Sequence, residues 1–410
     1  MVKELKMSHN ENRVMISGGG PVGLVAALAL ARADIPVDVF EAAPEHAADQ
    51  RAISYHPPTM DMLDELGVGA KMCEIGFPTK TFQLRDAQEG LVAEWDFSEL
   101  ADVLKHPYRL YLGQDQVVPL LADALKAYPH ARLHLGHRVK SVRQGTDAVS
   151  VEVECNGETR LERGRWLIGC DGAKSAVRKA IAVEFEGFTW PELFVVSQGI
   201  TDLMHARGFA SANNVRAGEN WVAAFKLVKD EEPALWRIVY SASPEEEDAK
   251  LLDPATIMAR QRQVLGEDHQ FDLNYATTYR VHQRVAALFR VHRVFLAGDA
   301  AHVNNPLGGM GLNSGIHDAV NLSQKLIDVW HGKAGPETLD RYHRQRRHAS
   351  MSYVQASSIQ NKRLMEERDP VLRRRAYDEL RRMCADPVAR RAHMLRTAAI
   401  ESLAEVDAIQ

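Results

Sequence analysis

The feature that most constrains this chain is a short apolar strand, Arg13 to Ser17, running into Gly18-Gly19-Gly20-Pro21-Val22-Gly23 and then into the alanine- and leucine-rich segment Leu24 to Ala33. Glycines at 18, 20 and 23 permit a tight turn and let the backbone approach a diphosphate. The helix that follows offers unpaired N–H groups and a partial positive charge. A second strand, Val37-Asp38-Val39-Phe40, ends at Glu41, 23 residues after Gly18. A carboxylate there can accept hydrogen bonds from both ribose hydroxyls and would repel a 2′-phosphate, so the site suits FAD or NAD and not NADP. Strands alternating with helices imply a parallel sheet covered on both faces, an α/β fold.

Two later segments repeat the strand-then-turn pattern. In Trp166-Leu167-Ile168-Gly169-Cys170-Asp171-Gly172, followed by Ala173 to Arg178, an apolar strand meets Asp-Gly and a helix start. By itself Asp171 reads equally well as a helix cap. In Val294-Phe295-Leu296-Ala297-Gly298-Asp299, a strand (Arg293 to Ala297) delivers a carboxylate that can take a ribityl hydroxyl. Pro306, Gly308-Gly309-Met310-Gly311 and Leu312-Asn313 follow, then a helix with Leu312, Ile316, Ala319, Leu322, Leu326 and Val329 at helical spacing. Such glycines let the chain pass close to a flat ring, and the helix turns its positive end towards it.

The middle of the chain reads differently. Val149, Val151 and Val153 alternate with polar residues before Asn156-Gly157 turns the chain back, a hairpin signal. Trp221 to Leu227 and Leu235 to Tyr240 are strand-like, so residues 185–285 predict an antiparallel sheet inserted into the parallel domain. The tail is helical and arginine-rich, densest at Arg373-Arg374-Arg375, which reads as solvated helix faces or a subunit contact.

Composition narrows the function classes. A net charge of −5 argues against a nucleic-acid-coating protein or a polybasic membrane binder. Cys73, Cys155, Cys170 and Cys384 show no CxxC spacing, which argues against a disulfide framework or zinc ribbon and fits a reducing cytoplasm. The 17 histidines show no HExxH pattern, so no metal is expected. Met1 to Arg13 has no apolar core of signal-peptide type. Val14 to Ala31 is too interrupted by glycine and proline, with Arg32 and Asp34 close behind, to read as a membrane span.

The three turns in this order resemble the single-component FAD-dependent aromatic hydroxylases, the family of p-hydroxybenzoate hydroxylase. Two further matches lie between them: Arg51 in Gln50-Arg51-Ala52-Ile53-Ser54, and Gln114 in Tyr111-Leu112-Gly113-Gln114. The resemblance implies a Rossmann-like FAD-binding domain assembled from residues 1–80, 109–184 and 286–340. Residues 81–108 and 185–285 would form an inserted antiparallel-sheet substrate domain, and 341–410 a helical C-terminal region. It implies that Glu41 binds the adenosine ribose, Arg51 the diphosphate, Gln114 the ribityl or diphosphate and Asp299 the ribityl chain. Asp171 would help hold FAD and couple to the nicotinamide donor, while Pro306, Gly308, Gly309, Gly311, Leu312 and Asn313 line the flavin. NADH or NADPH would be co-substrate without a second GxGxxG. Among subgroups, Tyr279-Arg280-Val281-His282-Gln283-Arg284 and the 410-residue length look most like hydroxylases of simple phenols and hydroxypyridines. A homodimer is expected from the same resemblance.

The implied chemistry is hydride transfer from NAD(P)H to FAD, capture of dioxygen as a flavin hydroperoxide, and oxygen transfer to an electron-rich ring. The substrate would be a small aromatic molecule. For the catalytic residues the resemblance offers Arg237, as a cation favouring a phenolate or reduced flavin or equally as an ordinary outward-facing strand residue, with Pro306 at the flavin face. Tyr240 and Tyr55 are offered as hydrogen-bonding or relay groups, and His282 as a base that titrates near neutrality. Trp190, Trp221 and Phe225 are candidates for an apolar wall. His302, after the Gly-Asp pair, reads as a packed histidine. Epoxidation or Baeyer–Villiger oxidation on the same scaffold, and a silent flavin-binding module, are the alternatives.

Overall fold

The opening strand forms as Val14–Ser17 with all four residues buried, as expected of a parallel strand covered on both faces. The structure, a computed structural model, describes residues 11–46 and 52–410. Val14–Ser17 pairs in parallel with Val37–Phe40 on one side and Trp166–Gly169 on the other. The six-stranded sheet is completed by Ala131–His134 at one edge and by Val294–Leu296 and Arg290–Val291 at the other. In the registers Ser17↔Gly169, Ser17↔Phe40 and Gly169↔Leu296 the parallel strands finish at one edge. The three glycine-bearing turns leave from that edge, where open α/β sheets bind ligands.

Pro21–Ala31 and Met310–Trp330 pack together on this sheet. The first is apolar all round because it is buried all round, with nine of its eleven residues inside. The hairpin predicted at Asn156-Gly157 forms between Val149–Cys155 and Glu158–Gly164, and Arg138–Gln144 joins it in a separate three-stranded sheet.

The antiparallel sheet has eight strands. Phe185–Thr201 and Asp272–Ala286, of 17 and 15 residues, form its backbone, followed outward by Ala234–Ala242, Asn220–Lys226 and Ala212–Ala217. Thr81–Asp86 adds in parallel to Ala212–Ala217, and Gly90–Asp96 closes that edge. At the other edge His302–Val303, just beyond the Gly298-Asp299 turn, pairs with Asp272–Ala286. One sheet thus runs from the inserted region into the flank of the third turn.

The C-terminal helices lie across this sheet. The Arg216 guanidinium, fully buried, donates to the carbonyls of Leu364, Glu367 and Gly218. The Tyr377 hydroxyl donates to Asp86 at 3.0 Å. Arg381, Arg390 and Arg391 pair with Glu89, Glu99 and Asp102, so part of the arginine excess holds the tail to its own chain. Arg374 and Arg375 remain exposed. Among the described residues no helix is long and apolar enough to cross a membrane.

Candidate active site

A cavity of about 390 Å³ lies between the turn-bearing edge of the parallel sheet and the face of the antiparallel sheet. Its turn side is built by Gly20, Pro21 and Val22, by Gly172 and Ala173, and by Asp299, Pro306 to Gly309, Gly311 and Leu312. Local chemistry explains the first turn. Gly18 has φ +106°, and a Cβ there would lie 2.3 Å from the Cys170 carbonyl oxygen; one on Gly23 would lie 2.0 Å from the Gly18 oxygen. Those two glycines serve the chain's own packing. A Cβ on Gly20, by contrast, meets nothing within 4 Å and would project into the open cradle.

Two helices begin at this cavity, Pro21–Ala31 and the 21-residue Met310–Trp330. Neither has a side-chain N-cap or an acidic residue in its first turn. Bare helix N-termini facing a cavity suit anionic groups of a ligand. With the Gly20 cradle, Asp299 exposed in the cavity and Gln114 on its wall, the donor and acceptor set fits FAD.

The other expected cofactor residues fall into two groups. Gln114 lines the cavity and donates to the Ala52 carbonyl at 3.3 Å. Glu41 sits beside the first turn, its carboxylate accepting from the backbone N–H groups of Gly19 (2.7 Å) and Ala43 (2.8 Å). It orders that turn, and each oxygen retains a second lone pair for a ribose. Asp171 does not line the cavity. It accepts from the N–H groups of Ala176 (2.7 Å) and Val177 (3.1 Å) and from the Ser175 hydroxyl, which is the helix-cap reading of that residue. Asn313 is 1 % exposed and staples chain segments: its Nδ2 donates to Ser54 and Gly309 carbonyls, and its Oδ1 accepts from the His56 N–H. Arg51 lies outside the described residues.

Behind the third turn is a buried ionic network that sequence reasoning did not reach. Asp318 accepts from the Gly298 N–H (3.0 Å), from His302 Nε2 (2.8 Å) and from Arg346 Nε (2.6 Å). Arg346 also donates to the Ser314 carbonyl and hydroxyl. Burial opposes the Asp318 charge, but His302 and Arg346 together hold its pKa below the usual carboxylate range. His302 is thus a packed histidine, 1 % exposed. Arg178 bridges the second and third turns, donating to the carbonyls of Ala173 and Ala300, each at 2.8 Å.

The sheet side of the cavity is mostly apolar: Phe82, Val196, Ala223, Phe225 and Val239, with Tyr111. Arg237 lines it from Ala234–Ala242 and is 2 % exposed. Tyr240 does not. Side chains alternate along a strand, so Arg237 and Val239 share the cavity face while Trp236, Ile238 and Tyr240 enter an apolar cluster on the opposite face. Burial raises the Tyr240 pKa to about 12. Tyr55 is fully buried in the parallel-domain core, and neither Trp190 nor Trp221 lines the cavity, whereas Phe225 does. His282 stands at the cavity with its Nδ1 2.9 Å from Thr189 Oγ1. Burial, with Arg284 and Arg280 nearby, lowers its pKa.

Two further groups were missed. Gln283 is a buried hub. Its Oε1 accepts from Trp190 Nε1 (3.1 Å) and the Asn305 N–H (3.1 Å), and its Nε2 donates to Ser358 (3.0 Å) and to Gln355. Gln355 belongs to a π-helical turn, Ser350–Gln355, and donates to the Val303 carbonyl; the C-terminal region thereby braces the loop beside Pro306. The second is Arg109, 9 % exposed on the cavity wall and lying over the rings of Phe97 (5.0 Å) and Phe82 (5.4 Å).

Residues 11–357 match the family model described as FAD binding domain. The chain is 37% identical over 366 residues to para-nitrophenol 4-monooxygenase of Pseudomonas sp. (strain WBC-3), covering 88% of this chain and 89% of that protein. It is 33% identical over 365 residues to 6-hydroxy-3-succinoylpyridine 3-monooxygenase HspB of Pseudomonas putida (strain DSM 28022 / S16), covering 88% and 90%. The crystal structure of p-nitrophenol 4-monooxygenase PnpA from Pseudomonas putida DLL-E4 superposes with a TM-score of 0.89 at 31% identity, covering 97% of this chain and 99% of that one.

Proposed function

Because this chain belongs to the FAD-binding-domain family of flavoprotein aromatic hydroxylases, we propose that it hydroxylates a phenolic or hydroxypyridine-type ring at the expense of NADH or NADPH and dioxygen. The observation that carries this reading is the convergence of three turns and two uncapped helix N-termini on one cavity whose far wall is apolar sheet.

Bound FAD, reduced by NAD(P)H, supplies the activation of dioxygen for transfer to the ring. The chain's own residues do the rest. Gly20 and the N-terminus of Pro21–Ala31 would hold the diphosphate, Glu41 the ribose, and Asp299 with Gln114 the ribityl chain. Pro306 to Leu312 would lie along the isoalloxazine, with the positive end of Met310–Trp330 favouring its reduced, anionic form. Asp171 acts by fixing the second turn, from which Arg178 reaches the third. Phe82, Phe225, Val196 and Val239 would keep water from the reacting centre and confine a flat ring. Arg237 would favour a phenolate. His282, kept neutral by its lowered pKa, can donate from Nδ1 to Thr189 and accept the ring hydroxyl's proton at Nε2. The named relatives act on aromatic rings, which favours hydroxylation over epoxidation or Baeyer–Villiger oxidation.

The test is NADH and NADPH oxidation by the FAD-loaded protein across phenols, benzoates and hydroxypyridines, with product and hydrogen peroxide quantified. Stoichiometric ring-hydroxylated product is expected from at least one. Peroxide alone with every aromatic, or no stimulation at all, would remove the hydroxylase reading.

A further inference from the structure

Arg109 is a buried charge to which the roles above give no task. It reaches the cavity from the short strand Arg109–Tyr111. Its surroundings are rings, Phe82 and Phe97, and no carboxylate stands among the charged or titratable groups acting on it; the neighbour is the Tyr111 hydroxyl. Arg109 Nε, Tyr111 Oη and Ser54 Oγ are buried side by side without a well-formed hydrogen bond, the Tyr111 hydroxyl lying close enough to Arg109 and Ser54 to interact with both. The two hydroxyls can accept as well as donate, but among the described residues no carboxylate faces the guanidinium, whose charge is left without a counter-ion. Such groups are costly to bury unless something satisfies them.

The charge of the whole cavity points the same way. Its lining holds three arginines, Arg109, Arg237 and the exposed Arg280, against one carboxylate, Asp299, which sits on the turn side. A largely apolar cavity with a guanidinium that has no counter-ion on its wall selects a ring that carries negative charge, since arginine binds anionic oxygens through paired, directional N–H groups.

We propose that Arg109 is the anion-recognition residue of the substrate cavity: its guanidinium, with Tyr111 and Ser54 beside it, receives the ionised oxygen substituent, phenolate or carboxylate, of a flat aromatic substrate. The assignment rests on the hydroxylase reading and names the substrate's charge state, which sequence relationships leave open.

The experiment is equilibrium dialysis of the FAD-loaded protein with paired ligands. One arm uses 4-nitrophenol, at a pH where it is ionised, against 4-nitroanisole. The other uses 4-hydroxybenzoate against its methyl ester. The wild type should prefer the ionised member in at least one arm, and the arm that shows it names the group. Arg109→Gln should lower affinity for that ligand about tenfold or more, the scale of one charge-assisted contact, while changing the neutral partner less than about twofold; Arg109→Lys should restore part of the preference. An unchanged ratio in Arg109→Gln, or equal loss for both partners, overturns the assignment. Loss of FAD from both variants also overturns it, by making the arginine a cofactor contact. A wild type that hydroxylates an aromatic while the variants keep its preference sinks only the arginine. A wild type that binds no aromatic and consumes no NAD(P)H with any sinks the hydroxylase reading and the arginine with it.

Discussion

Arg346 and Arg109 are both nine-tenths buried or more, yet the chain treats them in opposite ways. Arg346 is closed in: Asp318 takes its Nε, Ser314 takes its Nη2, and Asp318 in turn holds the Gly298 N–H and His302. Arg109 lies over the rings of Phe82 and Phe97, has the Tyr111 hydroxyl beside it and lines the cavity. Burial lowers the pKa of Arg109, opposed only by Tyr111. A buried charge with its counter-ion fixes a backbone; one without a counter-ion at a cavity wall is stability withheld from the fold and available to a ligand.

The sharpest way to break this contrast is to remove both arginines in turn. Arg346→Met leaves Asp318 short of its permanently charged partner in a dry core and should cost about 3–5 kcal/mol. Arg109→Gln should cost less than about 1 kcal/mol in the flavin-free protein. Thermal unfolding of the two variants measures the difference, and similar losses would dissolve the distinction. Next in size is Asp299→Ala, which removes a charged acceptor from the turn that Asp318 supports. FAD retention should weaken by about 1.5–3 kcal/mol, and a variant that purifies with full flavin content would contradict the role given to Asp299. Within the first turn the same contrast recurs. Gly23→Ala forces a methyl against the Gly18 carbonyl and should destabilise the fold by about 1–3 kcal/mol. Gly20→Ala should leave unfolding within about 0.5 kcal/mol of the wild type and act on flavin affinity instead.

The effect spread over the widest range of conditions is the most diffuse. His317 is buried against Thr59 Oγ1 at 2.9 Å, and burial, helped by Arg346, lowers its pKa to about 3. Below the unfolded value of about 6.5 the folded state binds fewer protons there than the unfolded chain. Its stabilising contribution is therefore complete above that pH and declines by about 1.4 kcal/mol per pH unit on the way down. Denaturant titrations on either side of pH 6 should show a shallower acid slope in His317→Gln than in the wild type.

What could be read from the sequence was local. Strand, glycine turn and helix are contiguous in the chain, so the three turns and their shared edge of the sheet were legible before any contact was known. The sheet side was less so. Arg109 in Tyr108-Arg109-Leu110-Tyr111 reads as an ordinary strand arginine, and only Phe82 and Phe97, brought from other elements, bury it. The Asp318–Arg346 pair spans two helices and has no local signature. One available signal was passed over. Arg237 and Tyr240 are separated by an odd number of positions along one strand, and alternation alone places them on opposite faces. The family resemblance implies ligand contacts for Asp171 and Asn313. Their hydrogen bonds go to the chain itself, a choice that depends on side-chain direction and not on sequence spacing.

The strand Asp272–Ala286 is joined at its far end to the inserted sheet and at its near end, through Arg284↔Val303 and Val285↔His302, to the flank of the Gly298-Asp299 turn. His282 and Gln283 stand on it between the two. In the proposed reading a single ribbon thus serves both the choice of ring and the seating of cofactor. In evolutionary terms the two traits are not free to vary separately. Substitutions along 272–286 that admit a new ring should carry a cost in flavin retention that depends on the residues at 302–305, so that changes of specificity accumulate by epistasis in a restricted order.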